Sequence, residues 1–489
     1  MSAKNWIIIA LLLVLSAAGA FAGAAHASVY YVSPHGRDSA PGTKARPWAT
    51  FLRAMLSLKP GDTLYLEDGV YYQSLDVTVS GRAGKPVFFK AASDGRAVVD
   101  ALWQARALRI AGRAYVEVDG ITFRHSGGGP NAHGLDISNS SHLTLRRDIA
   151  DGSSGYNSSV ISLCGVKDSL LVDCAGSGQG RVVLNILGCS NITVRRCWLG
   201  WSGPSTGGGD TCSIAQIYDS SHVLMENNIG VNLTRTPTDD FGVWAHYRDA
   251  GHDRFLGNVV YHTLAYSAGG FRDDAAYGRH SSYNLFEDNV AILPVAGVYH
   301  SVLADASGTD HHVSENDTYA GDGGGVGFLV HERPGRSGQE TTAEIINCSF
   351  YRTGAGIDVS WSGKNFVSAH KYNNFYRVGK CLLHEKMMSP PGLDRTETCG
   401  SRAPGYDTAK YGRGGYLMVP PALRGRGEGG ADIGATVLFR YRNGRLTGIP
   451  LWPWPMEGRI LAEFGVSPTW QAKGGIWKTL KGIYHGKTG

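Results

Sequence analysis

The sequence predicts an all-β chain, a solenoid of short parallel strands wound coil upon coil. Three observations predict it. Strand-like segments recur with a period of about 28 residues. Glycine fills 67 of 489 positions, about twice its usual share, without the three-residue period of collagen. Helical periodicity is nearly absent after Gly61.

The first element is a leader. Lys4 precedes the apolar run Trp6 to Leu15, and Ala25-His26-Ala27 is a small-x-small site. This pattern predicts a secretory signal over residues 1–27, cleaved before Ser28. The run is shorter than the roughly 20 residues a membrane span needs, and no later stretch is long enough. The expected location is therefore extracellular or periplasmic. The eight cysteines suit an oxidising compartment; Cys381 and Cys399 could close a loop, and buried structural thiols are the rival reading for the five between 164 and 212.

Residues 28–100 read as a cap and the first coils. Phe51, Leu52, Met55, Leu56 and Leu58 space as a short amphipathic helix stopped by Pro60 and Gly61. A solenoid has open ends that invite aggregation, so a capping helix is expected.

Residues 101–380 read as the main coils. Eight strand segments end at Asp148, Cys174, Cys197, Asn228, Asn258, Asn289, Asn316 and Asn347. The five Asn in this series predict an inward ladder whose amides bond from coil to coil. Between them run Gly-led alternating segments such as 241–249, 269–274 and 325–333. The segment 321–325 (GDGGG) lies between repeat strands and reads as a turn. Residues 381–489 form a Gly-, Arg- and Pro-rich tail expected to pack over the last coil or along one flank. Trp452 and Trp454 alternate there with prolines, which rules out a central strand.

The formal charge is +5, from 47 basic and 42 acidic residues, with no basic arm. That argues against a nucleic-acid protein and permits an acidic partner.

Residues 30–72 and 84–101 resemble the N-terminal cap of secreted right-handed parallel β-helix proteins, through Tyr-Val-Ser, Gly-x-Asp, Gly-Thr and a later Pro-Gly-Asp. Residues 430–435 (GADIGA) resemble the sequence that often closes such chains. The resemblance is to polysaccharide lyases of the family-nine pectate lyase and chondroitinase-B kinds; mannuronan epimerases share the fold. It implies a single-stranded right-handed parallel β-helix, a monomer, with an acidic polysaccharide as partner. Fold alone does not assign activity.

Lyases and epimerases of uronates need a base for the C5 proton and a cation to neutralise the carboxylate. The resembling lyases use a Lys base. Here no Lys lies between Lys167 and Lys364. The expected base and neutraliser are therefore His246 and Arg248, with Arg272 on the next coil. Trp244, Tyr299, His331 and Arg333 are expected to hold the glycan, because rings stack on sugars and cations hold carboxylates. Asp239 and Asp240 weakly resemble the acidic calcium segment of the pectate lyases, and Asp273 and Asp274 could join them around Ca2+. The stretch 200–212 could line the same groove. A C5-epimerase on the same fold is one alternative to the lyase reading, and two more stand beside it. One is a hydrolase using Asp240 and Asp274 as paired carboxylates. The other is a non-catalytic surface protein that binds through its long flank.

Overall fold

In the computed structural model, described here for residues 27–465 apart from 130, 155–156, 179, 203–212, 233–244, 248–249, 263–269, 275–280, 293–301, 332–339 and 361–364, the chain winds as a parallel β-helix. The expected signal segment lies outside the described residues up to position 26. Each coil contributes one strand to each of three sheets. Sheet 1 starts at Val29–Val32 and has 13 strands, sheet 2 starts at Gly69–Tyr71 and has 13, and sheet 3 starts at Leu75–Val77 and has 12. The chain visits them in the order 3, 1, 2 and then repeats.

Alternation along each strand sends one row of side chains inward. Stacked in register, these rows form one apolar core running from Val32 at the cap to Met388 at the far end. Like side chains stack on like, as Phe255 does on Phe286 with centroids 4.3 Å apart. The cap helix is Phe51–Met55. Thr50 caps it by accepting from the Arg53 amide, and Asp38 holds Thr50 in turn. Phe51 and Ala54 face the core, whereas Leu52 and Leu56 are exposed.

The corner from sheet 1 to sheet 2 is two residues long. The first takes a left-handed backbone, as in Arg147, Asp173, Arg196, Asn227, Asp288 and Asn316. Such a conformation costs roughly 1–2 kcal/mol for residues other than Gly, Asn or Asp; Asn and Asp fill four of these six places, while Arg147 and Arg196 carry the cost and pair with Asp119 and Asp173. The second residue turns inward and satisfies buried backbone groups. Asn228 Nδ2 donates to Asn258 Oδ1 at 3.0 Å, Asn258 Nδ2 to Asn289 Oδ1 at 3.0 Å, and Asn289 Nδ2 to Asp317 Oδ1 at 3.1 Å. The same oxygens accept the backbone N–H groups of Asn228, Asn258 and Asn289. The expected ladder is thus present for three of its five Asn. Asn316 and Asn347 are corrected: both are the left-handed residue, and the inward places belong to Asp317 and Cys348.

Cys381 and Cys399 form a disulfide, while Cys174, Cys189, Cys197 and Cys348 are buried free thiols. Cys174 and Cys197 occupy the same inward corner row as the Asn ladder.

The tail runs back along the outer face of sheet 2 as a strap. Its Tyr406, Leu417, Val437, Trp452, Trp454 and Ile460 pack on Ile149, Trp198, Ile229, Val259 and Val290 of the coils. Polar ties follow the same path. Tyr406 bonds Ser349, Ala435 N–H donates to Thr318, Gly444 N–H donates to Glu226, and Glu463 pairs with Arg124 near the cap end. Among the described residues no helix is long and apolar enough to cross a membrane.

Candidate functional site

With sheet 2 covered by the strap, sheets 1 and 3 remain as outer faces. Long connections single out sheet 3. Residues 202–212, 233–244, 263–270 and 293–301 join sheet 2 strands to sheet 3 strands, and residues 275–280 and 332–340 leave sheet 3 on its other side. The corners between sheets 1 and 2 hold two residues throughout that region. Connections free of the packing constraint are where binding side chains are usually carried.

The outward row of sheet 3 follows from the register. It reads Asp136, Ser162, Asn185, Gln216, Ala245, Arg272, Asp305, Leu329 and Asp358. Two residues along, the register runs through Tyr218, Tyr247, Asp274, Ser307 and His331. The rows meet at Asp305. Its carboxylate takes Arg272 at 2.8 Å and His331 Nε2 at 3.1 Å. The Arg272 and Asp305 side chains are only 7% exposed, and that of His331 is 15% exposed. A carboxylate so enclosed needs such partners, since leaving it unpaired would cost several kcal/mol. Two coils further, Asp358 Oδ1 holds His384 Nδ1 at 2.8 Å.

Several expectations change here. Arg272 and His331 are brought together as hoped, but through Asp305, which the sequence reading did not select. For His246 the register gives backbone partners only. Its backbone pairs with Ile217 and Asp273, both in the inward row, while Ala245 and Tyr247 are the partners of Arg272 and Asp274. Asp273 is corrected as a metal ligand. It is fully buried inside the coil, where it accepts from Ser281 at 2.9 Å and Asn284 at 3.1 Å and meets His312 Nδ1 at 2.9 Å. Alternation alone requires this, since the neighbouring Arg272 is outward. Asp274 is in backbone register with Tyr247 and Ser307. Asp239, Asp240, Trp244, Arg248, Tyr299 and Arg333 lie outside the described residues, as does most of 200–212. Among the described residues no group of three or more His, Cys, Asp or Glu could hold a metal ion.

The overlooked Asp305 and Asp358 had a signal in the sequence. Both sit in Gly-led alternating segments, three residues before a corner or connection, in the same phase as Arg272. Aligning those segments by register rather than by their leading Gly would have found them.

The fold and this site can now be set beside known proteins. Residues 30–157 match the family model for the Pel9A-like right-handed beta helix region. The matched span therefore carries a Pel9A-like right-handed β-helix region, and the coils continue the same winding beyond it. The chain is 31% identical over 126 residues to the uncharacterized protein YwoF of Bacillus subtilis (strain 168), covering 24% of this chain and 27% of that one. It is 32% identical over 80 residues to pectate lyase L of Dickeya dadantii (strain 3937), covering 15% and 19%. The chain thus spans only about a fifth to a quarter of the length of these curated relatives. Among solved structures, pectate lyase Pel9A is similar over 80% of this chain and 86% of its own, with 16% identity and a TM-score of 0.42. A rhamnogalacturonan lyase is similar over 78% and 92%, with 13% identity and a TM-score of 0.45.

Proposed function

We propose that this chain is a secreted, monomeric protein that processes an acidic polysaccharide by β-elimination along the outer face of sheet 3. The observation that carries the reading is the Arg272–Asp305–His331 group on that face, between the long connections. An imidazole that donates from Nε2 to Asp305 keeps its lone pair on Nδ1, the form that takes a proton. His331 is then the base for the C5 proton of a uronate, and Asp305 is the positioning residue that fixes its ring. Arg272 shares the Asp305 carboxylate with that base. A guanidinium on the uronate carboxylate draws charge from C5 and stabilises the carbanion. The electron pair left at C5 expels the C4 oxygen and leaves an unsaturated ring. In this reading Ca2+ would be held by Asp239, Asp240 and Asp274. The described residues build no cage for it, so no step is routed through it.

A second reading rests on Asp358. Two coils separate it from Asp305, which at about 4.8 Å per coil is roughly 9.5 Å between backbones. Paired carboxylates of inverting glycosidases stand about 6.5–9.5 Å apart. One experiment separates the readings. The purified protein is incubated with pectate, alginate, hyaluronan and chondroitin, with calcium and with chelator. Ultraviolet absorbance of unsaturated uronates that vanishes in His331→Ala supports elimination. New reducing ends without absorbance, lost in Asp358→Asn, support hydrolysis. Silence in both assays favours a non-catalytic binding protein.

A further inference from the structure

A second group of side chains lies away from this groove, at the corner between sheets 2 and 3 near the cap. The turn after Ala97–Asp100 carries Leu102 and Trp103, both with left-handed backbones, φ 53° and 60°. Neither residue type favours that conformation, and both side chains are nearly half exposed, 47% and 46%. Strain and lost burial both disfavour this arrangement, and yet the surroundings are shaped to hold it. A Cβ on Gly127 would collide with the Trp103 carbonyl, and one on Gly152 would meet the indole at 2.7 Å. The Trp103 N–H donates to the His125 carbonyl at 2.6 Å, and Asp100 accepts from the Leu102 N–H at 2.9 Å. Backbone strain held in place by a built frame is a mark of a working site.

Polar groups converge on the indole. The His125 ring lies 4.9 Å from it, and Asp100 holds His125 Nδ1 at 3.0 Å. That leaves Nε2 of His125 facing away from Asp100. Asp151 follows on the next strand, in register with Arg124 and one residue before the Gly152 that abuts the indole. Burial, with the charge of Glu463 adding, pushes its carboxyl up to about 6. Arg124 is engaged by Glu463 of the strap, so the corner's charge is dominated by carboxylates.

We propose that Trp103, His125 and Asp151 form a binding site for an uncharged sugar ring, separate from the sheet 3 groove. An indole face takes the apolar face of a pyranose, while one imidazole nitrogen and one carboxylate take neighbouring hydroxyls. The acidic surroundings repel a uronate and admit a neutral ring. The site lies four to six coils toward the cap from Arg272, roughly 20–30 Å along the solenoid. It would hold neutral portions of a glycan while the groove engages another stretch, and it stands whether or not the groove is catalytic.

The test is affinity electrophoresis of the full chain in gels containing galactomannan, β-1,4-galactan or hydroxyethylcellulose, with polygalacturonate as the anionic counterpart. At least a twofold drop in mobility is expected in one neutral gel. Trp103→Ala and Asp151→Asn should each abolish it, with circular dichroism unchanged from the parent, and Asp305→Asn should leave it intact. Four results would overturn the proposal: no retardation in any neutral gel, retardation only in polygalacturonate, retardation unaltered in folded Trp103→Ala, or retardation lost in Asp305→Asn.

Discussion

Replacing Asn258 by Ala interrupts the inward ladder at its middle rung. The Asn258 side-chain oxygen accepts from the Asn228 N–H at 2.9 Å and from Asn228 Nδ2 at 3.0 Å. Its own Nδ2 donates to the Met225 carbonyl at 2.9 Å and to Asn289 Oδ1 at 3.0 Å. Asn289 Oδ1 keeps the Asn258 N–H, and Asn228 Nδ2 keeps the Val194 carbonyl at 2.9 Å through its other hydrogen. What is stranded is one backbone N–H, one amide hydrogen and one carbonyl, all fully buried. At roughly 1–3 kcal/mol for each orphaned donor, and less for the carbonyl, the loss comes to about 3–5 kcal/mol. Urea unfolding followed by far-ultraviolet circular dichroism measures it, with Asn347→Ala as the comparison at the slipped position. A loss below about 1 kcal/mol for Asn258→Ala would refute the view that the ladder, rather than apolar stacking alone, holds these corners.

Two further outcomes follow from the same structure. Burial pushes the Asp317 carboxyl up to about 6 from 3.8, against the pull of hydrogen bonds from Ser314 and Asn289. The folded state therefore binds this proton more tightly than the unfolded chain. Its stabilising effect is complete below about pH 4 and is lost as pH rises through 6, by about 3 kcal/mol in all. Asp317→Asn should flatten the stability profile between those values and leave the variant more stable than the parent at pH 7; a profile that keeps the parent's slope contradicts this. In the strap, Trp452 and Trp454 are each 3% exposed. Trp454→Ala removes about 3–5 kcal/mol of packing from that segment. Limited proteolysis should then cut within residues 400–465 well before the coils, and equal cutting rates in parent and variant would show that the strap is not held by this pair.

How far the sequence reveals such features depends on whether they are local. The coil period, the cap helix at Phe51–Met55 and the Cys381–Cys399 bridge were legible because each rests on spacing within one or a few coils. The corner residues were legible as a type but not in phase. Asp288-Asn289 and Asn316-Asp317 carry the same two residue types in opposite order, and only the inward member joins the ladder. Site residues were harder still. His246 was chosen by aligning its segment on a leading Gly, whereas the backbone register pairs it with Ile217. Asp305 gathers Arg272 and His331 from coils 33 and 26 residues away, a convergence that only the register between coils defines. Asp273 read as a surface ligand because nothing local shows that the core at that level is polar, with His312, Ser281 and Asn284 as its partners.

The account turns on the outer face of sheet 3, and the most direct measurement compares the parent with Asp305→Asn on the acidic polymer that gives the strongest ultraviolet signal. Losing the charge that fixes His331 and Arg272 should cut kcat by about 100-fold or more while the fold persists, because general-base catalysis is worth that much. Activity of Asp305→Asn within about threefold of the parent, with intact circular dichroism, would contradict the assignment and move the chemistry elsewhere on the molecule.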